Sequence, residues 1–308
     1  MKLENRNGLS VTLLEMGGAI QSILMPDRNG NLLDIVLGYD DPAAYPGGSC
    51  FGAFVGRFAN RIGKGEFPLN GRTVHVTVNE GVNSLHGGHG YHLRPWKLEK
   101  TGSGAILSIH DPDGEEGFPG NVDVQVAVTL TEENELIFDY RATTDADTVI
   151  NLTNHSFFNL SGADTILDHE LMIASDAYLE VDSGLIPTGK LIDVTGTDFD
   201  FRTRRPILNG KYDHCYVLRP SGVQAEVYDP VSGRGMRMET DLPGVQLYCG
   251  GGLGGAPGRG GIRHKANAGL CLETQQFPDA PNKPGFPSAL LRAGETMTSR
   301  TKYTFFVD

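Results

Sequence analysis

Turn-forming residues are spread along the whole chain and leave only short runs of β-branched and aromatic residues between them. The 41 glycines and 17 prolines follow no triplet period, and both residue types interrupt helices and mark turns. Many of the intervening runs alternate apolar with polar residues, which is typical of half-buried strands. We find no convincing amphipathic helix. The sequence therefore predicts an all-β protein with more strands than one open sheet holds, folded as a large antiparallel β-sandwich.

The clearest single turn lies at Asn70-Gly71, between the apolar runs 67–69 and 73–78. A type I′ turn needs positive φ at both central residues, and Asn-Gly meets that need best. This pair therefore predicts a β-hairpin. No linker-like change in composition divides the chain, so residues 1–308 are expected to form a single domain.

The overall charge narrows the classes of ligand. The formal net charge is -12, whereas a surface for nucleic acid or anionic membrane would be basic. We therefore expect no nucleic-acid or membrane partner. The N-terminus lacks the apolar run of a signal peptide, and the sequence has no stretch long enough to span a bilayer, which favours a cytoplasmic location. The cysteines form no C-x-x-C pair and are expected to be reduced.

One histidine stands in an unusual setting. Residues 149–160 place His155 among amides and hydroxyls, between apolar residues, in a segment predicted as a strand. An imidazole with a pKa of roughly 6.5 can give or take a proton at neutral pH. The alternative is a core histidine whose hydrogen bonds are satisfied by its neighbours.

Glu273 is a lone carboxylate in the apolar stretch 269–275. Burying a carboxylate costs free energy unless the group is paired, hydrogen-bonded or functional. It is therefore either a functional acid or base or the partner of a structural arginine. Asp213 offers a second acid at the start of another predicted strand.

Two glycine-rich stretches carry hydrogen-bonding side chains, Asn60-Arg61 and the run 83–88 with His86. Glycine allows the backbone to approach a ligand closely. Alternatively, Arg61 pairs with a surface carboxylate, and the flanked polar residues simply make turns. His86, His89 and His92 are spaced by three, but the glycines between them argue against the helix that would align them on a metal. We predict no metal site.

Several motifs occur in a fixed order along the chain. They are Asn60-Arg61, Asn83-Ser84-Leu85-His86-Gly87-Gly88, Thr153-Asn154-His155-Ser156-Phe157-Phe158-Asn159-Leu160, Asp213-His214, Pro243-Gly244-Val245-Gln246-Leu247-Tyr248 and the run from Glu273 to Asn282. In this order the chain resembles the aldose 1-epimerase, or galactose mutarotase, family over nearly its whole length. The resemblance implies the family's fold, a large β-sandwich of the galactose mutarotase-like supersandwich type.

The resemblance also implies residue roles. His155 takes the place of the family's general acid and Glu273 that of its general base. Sugar-binding places fall to Arg61, His86, Asp213 and Gln246, with Asn60 beside them. Glu273 would take the C1 hydroxyl proton while protonated His155 donates to the ring oxygen, and closure of the opened ring on the other face would give the other anomer. The implied partner is a small-molecule sugar, no metal or cofactor is needed, and the protein is expected as a monomer or homodimer.

Two other functional hypotheses stay open. A relative that epimerises a phosphorylated or acidic sugar would need extra cations near the cleft, and Arg57, Arg259 and Arg263 are the candidates. A non-catalytic sugar-binding module of the same fold would not need both His155 and Glu273. The preferred sugar stays open because Phe157 and the glycine-rich run 250–261 depart from the family pattern.

Overall fold

The computed structural model describes residues 1–47, 49–220 and 222–308. Within these residues the ordered elements are strands and short 3₁₀ turns, with no α-helix. In chain order the strands are β1 (Lys2–Glu4), β2 (Ser10–Leu13), β3 (Ile20–Pro26), β4 (Leu32–Asp34), β5 (Phe54–Val55), β6 (Arg61–Ile62), β7 (Glu66–Leu69), β8 (Arg72–His75), β9 (Ser84–Leu85), β10 (Lys97–Lys100), β11 (Gly104–Asp111), β12 (Val122–Leu130), β13 (Glu135–Thr144), β14 (Thr148–Val149), β15 (Thr153–Asn154), β16 (Glu170–Ile173), β17 (Ala177–Val181), β18 (Pro187–Asp193), β19 (Arg205–Pro206), β20 (Asp213–Val217), β21 (Ala225–Tyr228), β22 (Arg234–Thr240), β23 (Gly244–Tyr248), β24 (Cys271–Gln275), β25 (Leu290–Leu291) and β26 (Thr296–Val307).

A nine-stranded sheet forms one layer, in the order β10-β11-β12-β13-β26-β22-β21-β16-β19. The sequence of β12 shows why it forms. Its valines and Leu130 alternate with residues that are less buried, so that one face of the strand is apolar. The long strands β13 and β26 pair antiparallel and repeat this alternation.

A five-stranded sheet, in the order β18-β17-β20-β23-β24, packs against the nine-stranded sheet. Leu272 and Val245 of this sheet join Phe138 and Tyr303 of the larger sheet in one apolar core. The Tyr303 hydroxyl donates to the backbone carbonyl of Leu272 at 2.9 Å. The predicted all-β fold and antiparallel sandwich are confirmed.

The opposite face of the five-stranded sheet does not face this core. Strand residues alternate between faces, so that Cys271, Glu273 and Gln275 of β24 point away from Leu272. All five residues of β24 are nevertheless buried, because loops cover the second face. Polar side chains are thereby placed on a rigid, covered surface.

The hairpin predicted at Asn70-Gly71 is present. Leu69 of β7 pairs with Arg72 of β8, and φ is 50° at Asn70 and 75° at Gly71, as a type I′ turn requires.

The prediction of one strand over residues 149–160 is wrong. The segment is extended, but its pairing partner changes repeatedly, which limits the regular strands to β14 and β15. Thr153 and Asn154 pair with β5, while Phe158 forms bridges to Val36 and Leu270. His155 directly follows β15, and its backbone N–H donates to the carbonyl of Ala53 at 2.9 Å. It is therefore held by backbone hydrogen bonds outside any regular strand.

All four cysteines are free thiols, as predicted. In the described part of the chain, no helix is long and apolar enough to cross a membrane.

Candidate active site

A polar cleft of about 300 Å³ opens on the covered face of the five-stranded sheet. Six of the seven predicted site residues line it, from positions as far apart as 60 and 273: Asn60, Arg61, His86, His155, Asp213 and Glu273. The remaining lining comes from Ser49, Cys50, Glu80, Leu85, Phe157, Tyr248, Gly252 and Leu253. The fold thus gathers residues that the sequence could relate only through a family resemblance.

Three neighbouring strands place the acidic side of the cleft. Gln246 of β23 lies directly opposite Glu273 of β24 in the register, and Asp213 of β20 lies opposite Tyr248. Gln246 lies behind the cleft lining, where its amide nitrogen donates to Asp213 at 2.6 Å. The seventh predicted residue therefore orients Asp213 at the edge of the cleft.

The loop residues Asn60 and His86 are locked together. Both have positive φ, 64° and 55°, a conformation that non-glycine residues adopt rarely. The backbone N–H of Asn60 donates to Nδ1 of His86 at 3.2 Å, and the N–H of His86 donates to the carbonyl of Asn60 at 3.0 Å. Because Nδ1 accepts a hydrogen bond, the neutral ring carries its proton on Nε2. Nε2–H is therefore available as a donor.

Arg61 forms a two-point ion pair with Glu80. Its Nε and one terminal nitrogen lie 2.6 and 2.7 Å from the two carboxylate oxygens. The alternative that Arg61 pairs with a carboxylate therefore holds, but the pair lies at the cleft rather than apart from it. Glu80 fixes the plane of the guanidinium and leaves the other terminal nitrogen for a ligand.

His155 stands at the centre of the cleft and is 7% exposed. Its Nε2 lies 3.6 Å from Oε1 of Glu273, and its Nδ1 lies 3.4 Å from the sulfur of Cys271. The rings of His86 and Phe157 pack beside it, with centroids at 5.3 and 4.9 Å. Imidazole and carboxyl thus face each other inside one site.

Burial shifts the pKa values of Glu273 and His155 in the directions that favour the neutral form of each group. It raises the pKa of Glu273 to about 8, with a smaller contribution from Asp213, while Arg61 opposes the rise. Burial lowers the pKa of His155 to about 4 and keeps the pKa of His86 well below its ordinary value. At neutral pH the pair of His155 and Glu273 therefore holds one exchangeable proton, carried by Glu273 in the free protein.

Glu273 carries the signature of a functional group. It is 2% exposed, and its Oε2 has no hydrogen-bond partner among the described residues. An unpartnered buried carboxyl oxygen costs free energy. The basic group nearest to Oε1 is the imidazole of His155, 3.6 Å away, instead of the arginine that a structural role would predict.

The geometry also tests whether a metal fits. Ligand atoms of His86, His155 and Glu273 lie within 4.8 Å of one another, a donor set that suits a transition metal. However, Nδ1 of His86 is taken by the N–H of Asn60, so Nε2 is protonated and offers no lone pair. The set fits a hydrogen-bonded ligand better than a metal. His89 does not join it and lies exposed beside Glu116.

The three arginines considered for an anionic sugar lie elsewhere. Arg57 is buried against Asp111, 2.7 Å away, and against backbone carbonyls. Arg259 pairs with Asp34 at 2.9 Å, and Arg263 donates to the carbonyl of Gly255. Arg61 is the one arginine in the cleft lining of the described residues, and Glu80 already neutralises it.

Sequence reasoning missed several polar groups at the site, among them Glu80 and Cys271. Glu80 reaches the cleft through its pairing with Arg61, which lies 19 residues earlier, and no local pattern marks this contact. Cys271 lies two residues before Glu273, and the alternation of the strand could have placed it on the same face. The sequence analysis predicts Cys271 only as a reduced thiol.

Comparisons with known proteins identify the family of the chain. The model of the family described as aldose 1-epimerase matches residues 1–304. Rat galactose mutarotase is 42% identical over 97% of this chain and 92% of its own length. Aldose 1-epimerase of Escherichia coli K12 is 36% identical over 100% of this chain and 95% of its own length. A solved structure of an aldose epimerase homologue from C. elegans superimposes with a TM-score of 0.96 at 32% identity, covering 100% of this chain and 98% of that one.

Proposed function

The chain belongs to the aldose 1-epimerase family, and on that premise we propose that Glu273 and His155 interconvert the α and β anomers of a free aldohexose. The matching relatives named galactose mutarotase and aldose 1-epimerase are isomerases, and so is this protein. One observation supports this residue assignment above all: Nε2 of His155 and Oε1 of Glu273 lie 3.6 Å apart in one polar cleft.

The proposed reaction needs one proton removed and one delivered. Glu273, ionised, takes the proton of the C1 hydroxyl as the bond between C1 and the ring oxygen breaks. Protonated His155 donates from Nε2 to that ring oxygen, which gives the open-chain aldehyde. Rotation about the C1–C2 bond exposes the other face of the carbonyl, and closure reverses both transfers. Each positioned proton transfer contributes about 10²- to 10⁴-fold.

The electrostatics of the site favour ring opening. After both transfers Glu273 is a neutral acid and His155 a neutral imidazole, the forms that burial stabilises. The reactive ion pair forms when the sugar binds, since a hydroxyl that donates to the carboxylate and the nearby charge of Arg61 both favour ionised Glu273. Burial thus drives the protons in the direction that opens the ring.

The remaining polar groups are proposed to hold the sugar. Nε2–H of His86 and the free terminal nitrogen of Arg61 are donors, and Asp213 is an acceptor that Gln246 orients. Asn60 supports the ring of His86. Such convergent donors and acceptors suit a neutral, hydroxyl-rich ligand.

The two alternative readings have less support. Arg57, Arg259 and Arg263 all have protein partners away from the cleft lining, which disfavours a phosphorylated sugar. A binding module needs no buried acid like Glu273, one of whose oxygens has no hydrogen-bond partner in the described part of the chain. A cytoplasmic location and a monomeric or homodimeric state stay predictions.

Polarimetry of freshly dissolved α-D-galactose and α-D-glucose tests the proposal. Addition of protein is expected to speed the approach to the equilibrium rotation, with the better substrate identifying the preferred sugar. No acceleration of either sugar, together with measurable binding in a titration, would instead support the binding module. Acceleration limited to a sugar phosphate would support the other epimerase.

A further inference from the structure

We propose that Cys271 is a positioning residue whose sulfur accepts the Nδ1–H of His155, so that Nε2 is always the atom that gives and takes the proton. The inference rests on the proposed role of His155 as the acid. Neither the sequence motifs nor the proposed reaction assigns a role to Cys271.

One strand holds both sides of the imidazole. Cys271 and Glu273 lie two residues apart on the same face of β24. The sulfur of Cys271 is 3.4 Å from Nδ1 of His155, and Oε1 of Glu273 is 3.6 Å from Nε2. The two ring nitrogens therefore have different partners, one fixed by a thiol and the other facing the reactive carboxyl.

The backbone around His155 is already fixed. Its N–H donates to Ala53 and its carbonyl accepts from Gly52, at 2.9 and 3.0 Å. Phe158 and Leu270 exchange two backbone hydrogen bonds of 2.7 and 3.0 Å, which tie this segment to the start of β24. Side-chain rotation and the choice of tautomer are the freedoms that remain, and the contact with Cys271 acts on both.

The tautomer matters because the nitrogen that carries the lasting proton is set by the hydrogen bond it makes. During the reaction Nε2 of His155 loses and regains its proton, whereas Nδ1–H must stay. A sulfur that accepts from Nδ1 stabilises this arrangement in both protonation states of the ring. Without it, the proton of the neutral ring could reside on Nε2 and block return of the exchanged proton to that atom.

A thiol suits an acid better than a carboxylate would. Sulfur is a weak acceptor, while a carboxylate at Nδ1 would raise the basicity of the ring. Burial also raises the pKa of Cys271 well above its ordinary value, so the sulfur brings no charge. His155 is therefore oriented without losing its readiness to protonate a ring oxygen.

Three variants test the proposal in the polarimetric assay. Cys271→Ala removes the acceptor and is expected to lower kcat about three- to tenfold, the effect of losing one modest hydrogen bond. KM should stay within about twofold, because other residues hold the sugar. Cys271→Ser supplies a hydroxyl oxygen that accepts from Nδ1–H and is expected to keep kcat within about twofold of wild type.

Cys249→Ala is the matched control. Cys249 is also 0% exposed, and its backbone N–H donates to the carbonyl of Tyr212 at 3.0 Å. It lies outside the cleft lining and measures what an emptied thiol pocket costs on its own. A loss of kcat in Cys271→Ala no larger than in Cys249→Ala would overturn the proposal.

Nitrogen NMR of wild-type protein with ¹⁵N-labelled histidine gives a readout that needs no folded alanine variant. Near neutral pH, His155 is expected to carry its proton on Nδ1 and none on Nε2, and Cys271→Ser should keep this pattern. A wild-type ring protonated on Nε2 alone would overturn the proposal. Failure of the proposed function looks different, because wild type would then not speed mutarotation or His155→Asn would retain full activity.

Discussion

The carboxyl of Glu273 and the imidazole of His155 meet where neither group is readily charged. Both are almost fully buried, and the shifts of their pKa values, to about 8 and about 4, point in opposite directions. Two groups separated in this way keep one exchangeable proton between them across the neutral range. Acid and base catalysis by one pair requires this condition.

The pH profile of kcat/KM is therefore expected to be bell-shaped. Activity should fall below about pH 4, as His155 gains a proton while Glu273 keeps its own, and above about pH 8, as the pair loses its last proton. Initial rates of mutarotation, corrected for the uncatalysed rate at each pH, measure both limbs. A flat profile from about pH 5 to about 9 would rule out an acid–base pair with these properties.

Glu273 should also cost stability at alkaline pH. Because its pKa in the folded protein is raised from 4.5 to about 8, the folded state binds this proton more tightly than the unfolded chain. The stability that comes from the neutral acid is present at low pH and is lost as pH rises through about 8. Glu273→Gln stays neutral and should be more stable than wild type at alkaline pH. The difference in free energy of unfolding should grow between about pH 4.5 and about 8, to on the order of 5 kcal/mol, and change little above that.

Thermal unfolding of both proteins at several pH values measures this difference. Glu99→Gln on β10 is the control, because the Glu99 side chain is 55% exposed. The difference in stability between this variant and wild type should hardly change with pH. If the difference in stability between Glu273→Gln and wild type stays constant or becomes smaller as pH rises, the raised pKa of Glu273 is contradicted.

At the scale of elements, the sequence predicts structure that depends on neighbouring residues but not pairings between distant segments. The hairpin at Asn70-Gly71 is encoded by two adjacent residues and is present. The β-branched and aromatic residues of 149–160 predict one strand, yet the pairing partners of this segment lie around residues 36, 54 and 270. The ion pair of Arg61 with Glu80 likewise depends on how two loops fold together.

The loop that carries His86 depends on a glycine next to it. Gly87 has a φ of 73°, and a Cβ there would lie 2.6 Å from Arg57 N and from Gly56 O. Gly87→Ala should therefore destabilise the fold by on the order of 3 kcal/mol, through strain and overpacking. It should also raise KM, because His86 is displaced from the cleft.

Gly71→Ala is the matched control for this substitution. Its φ is 75°, but no atom of the described residues lies within 4 Å of the added Cβ, so the variant carries the backbone strain alone, about 1 kcal/mol. Chemical denaturation of both variants gives the comparison. Equal losses of stability, with KM unchanged in Gly87→Ala, would show that close packing at this loop does not position His86.

At the scale of the whole molecule, the large negative net charge is not reflected in the cleft. The net charge is -12, while the cleft pairs its arginine with Glu80 and offers neutral donors and acceptors. Composition alone was enough to disfavour nucleic acid and to favour an all-β class. The convergence of residues 60, 155, 213 and 273 on one cleft could come only from the family resemblance and the fold.

This charge distribution predicts that salt has little effect on a neutral substrate. The kcat/KM for a free hexose should change less than about twofold between about 0.05 M and about 0.5 M sodium chloride, because screening acts on interactions between charges. The corresponding hexose 6-phosphate should be a poorer substrate, improved by salt as repulsion is screened. A hexose 6-phosphate that reacts faster than the free hexose, with a kcat/KM that falls as salt is added, would contradict this prediction and point to an anionic substrate.

The most direct test of the central claim is a double-mutant cycle in the mutarotation assay, with wild type, His155→Asn, Glu273→Gln and the double variant compared. If the two side chains transfer protons in one concerted scheme, each single variant should lose about 10²- to 10⁴-fold in kcat. The kcat of the double variant should then be only slightly lower than that of the less active single variant. A single variant with near wild-type kcat, or a double variant whose loss is the full product of the two single losses, would contradict the account.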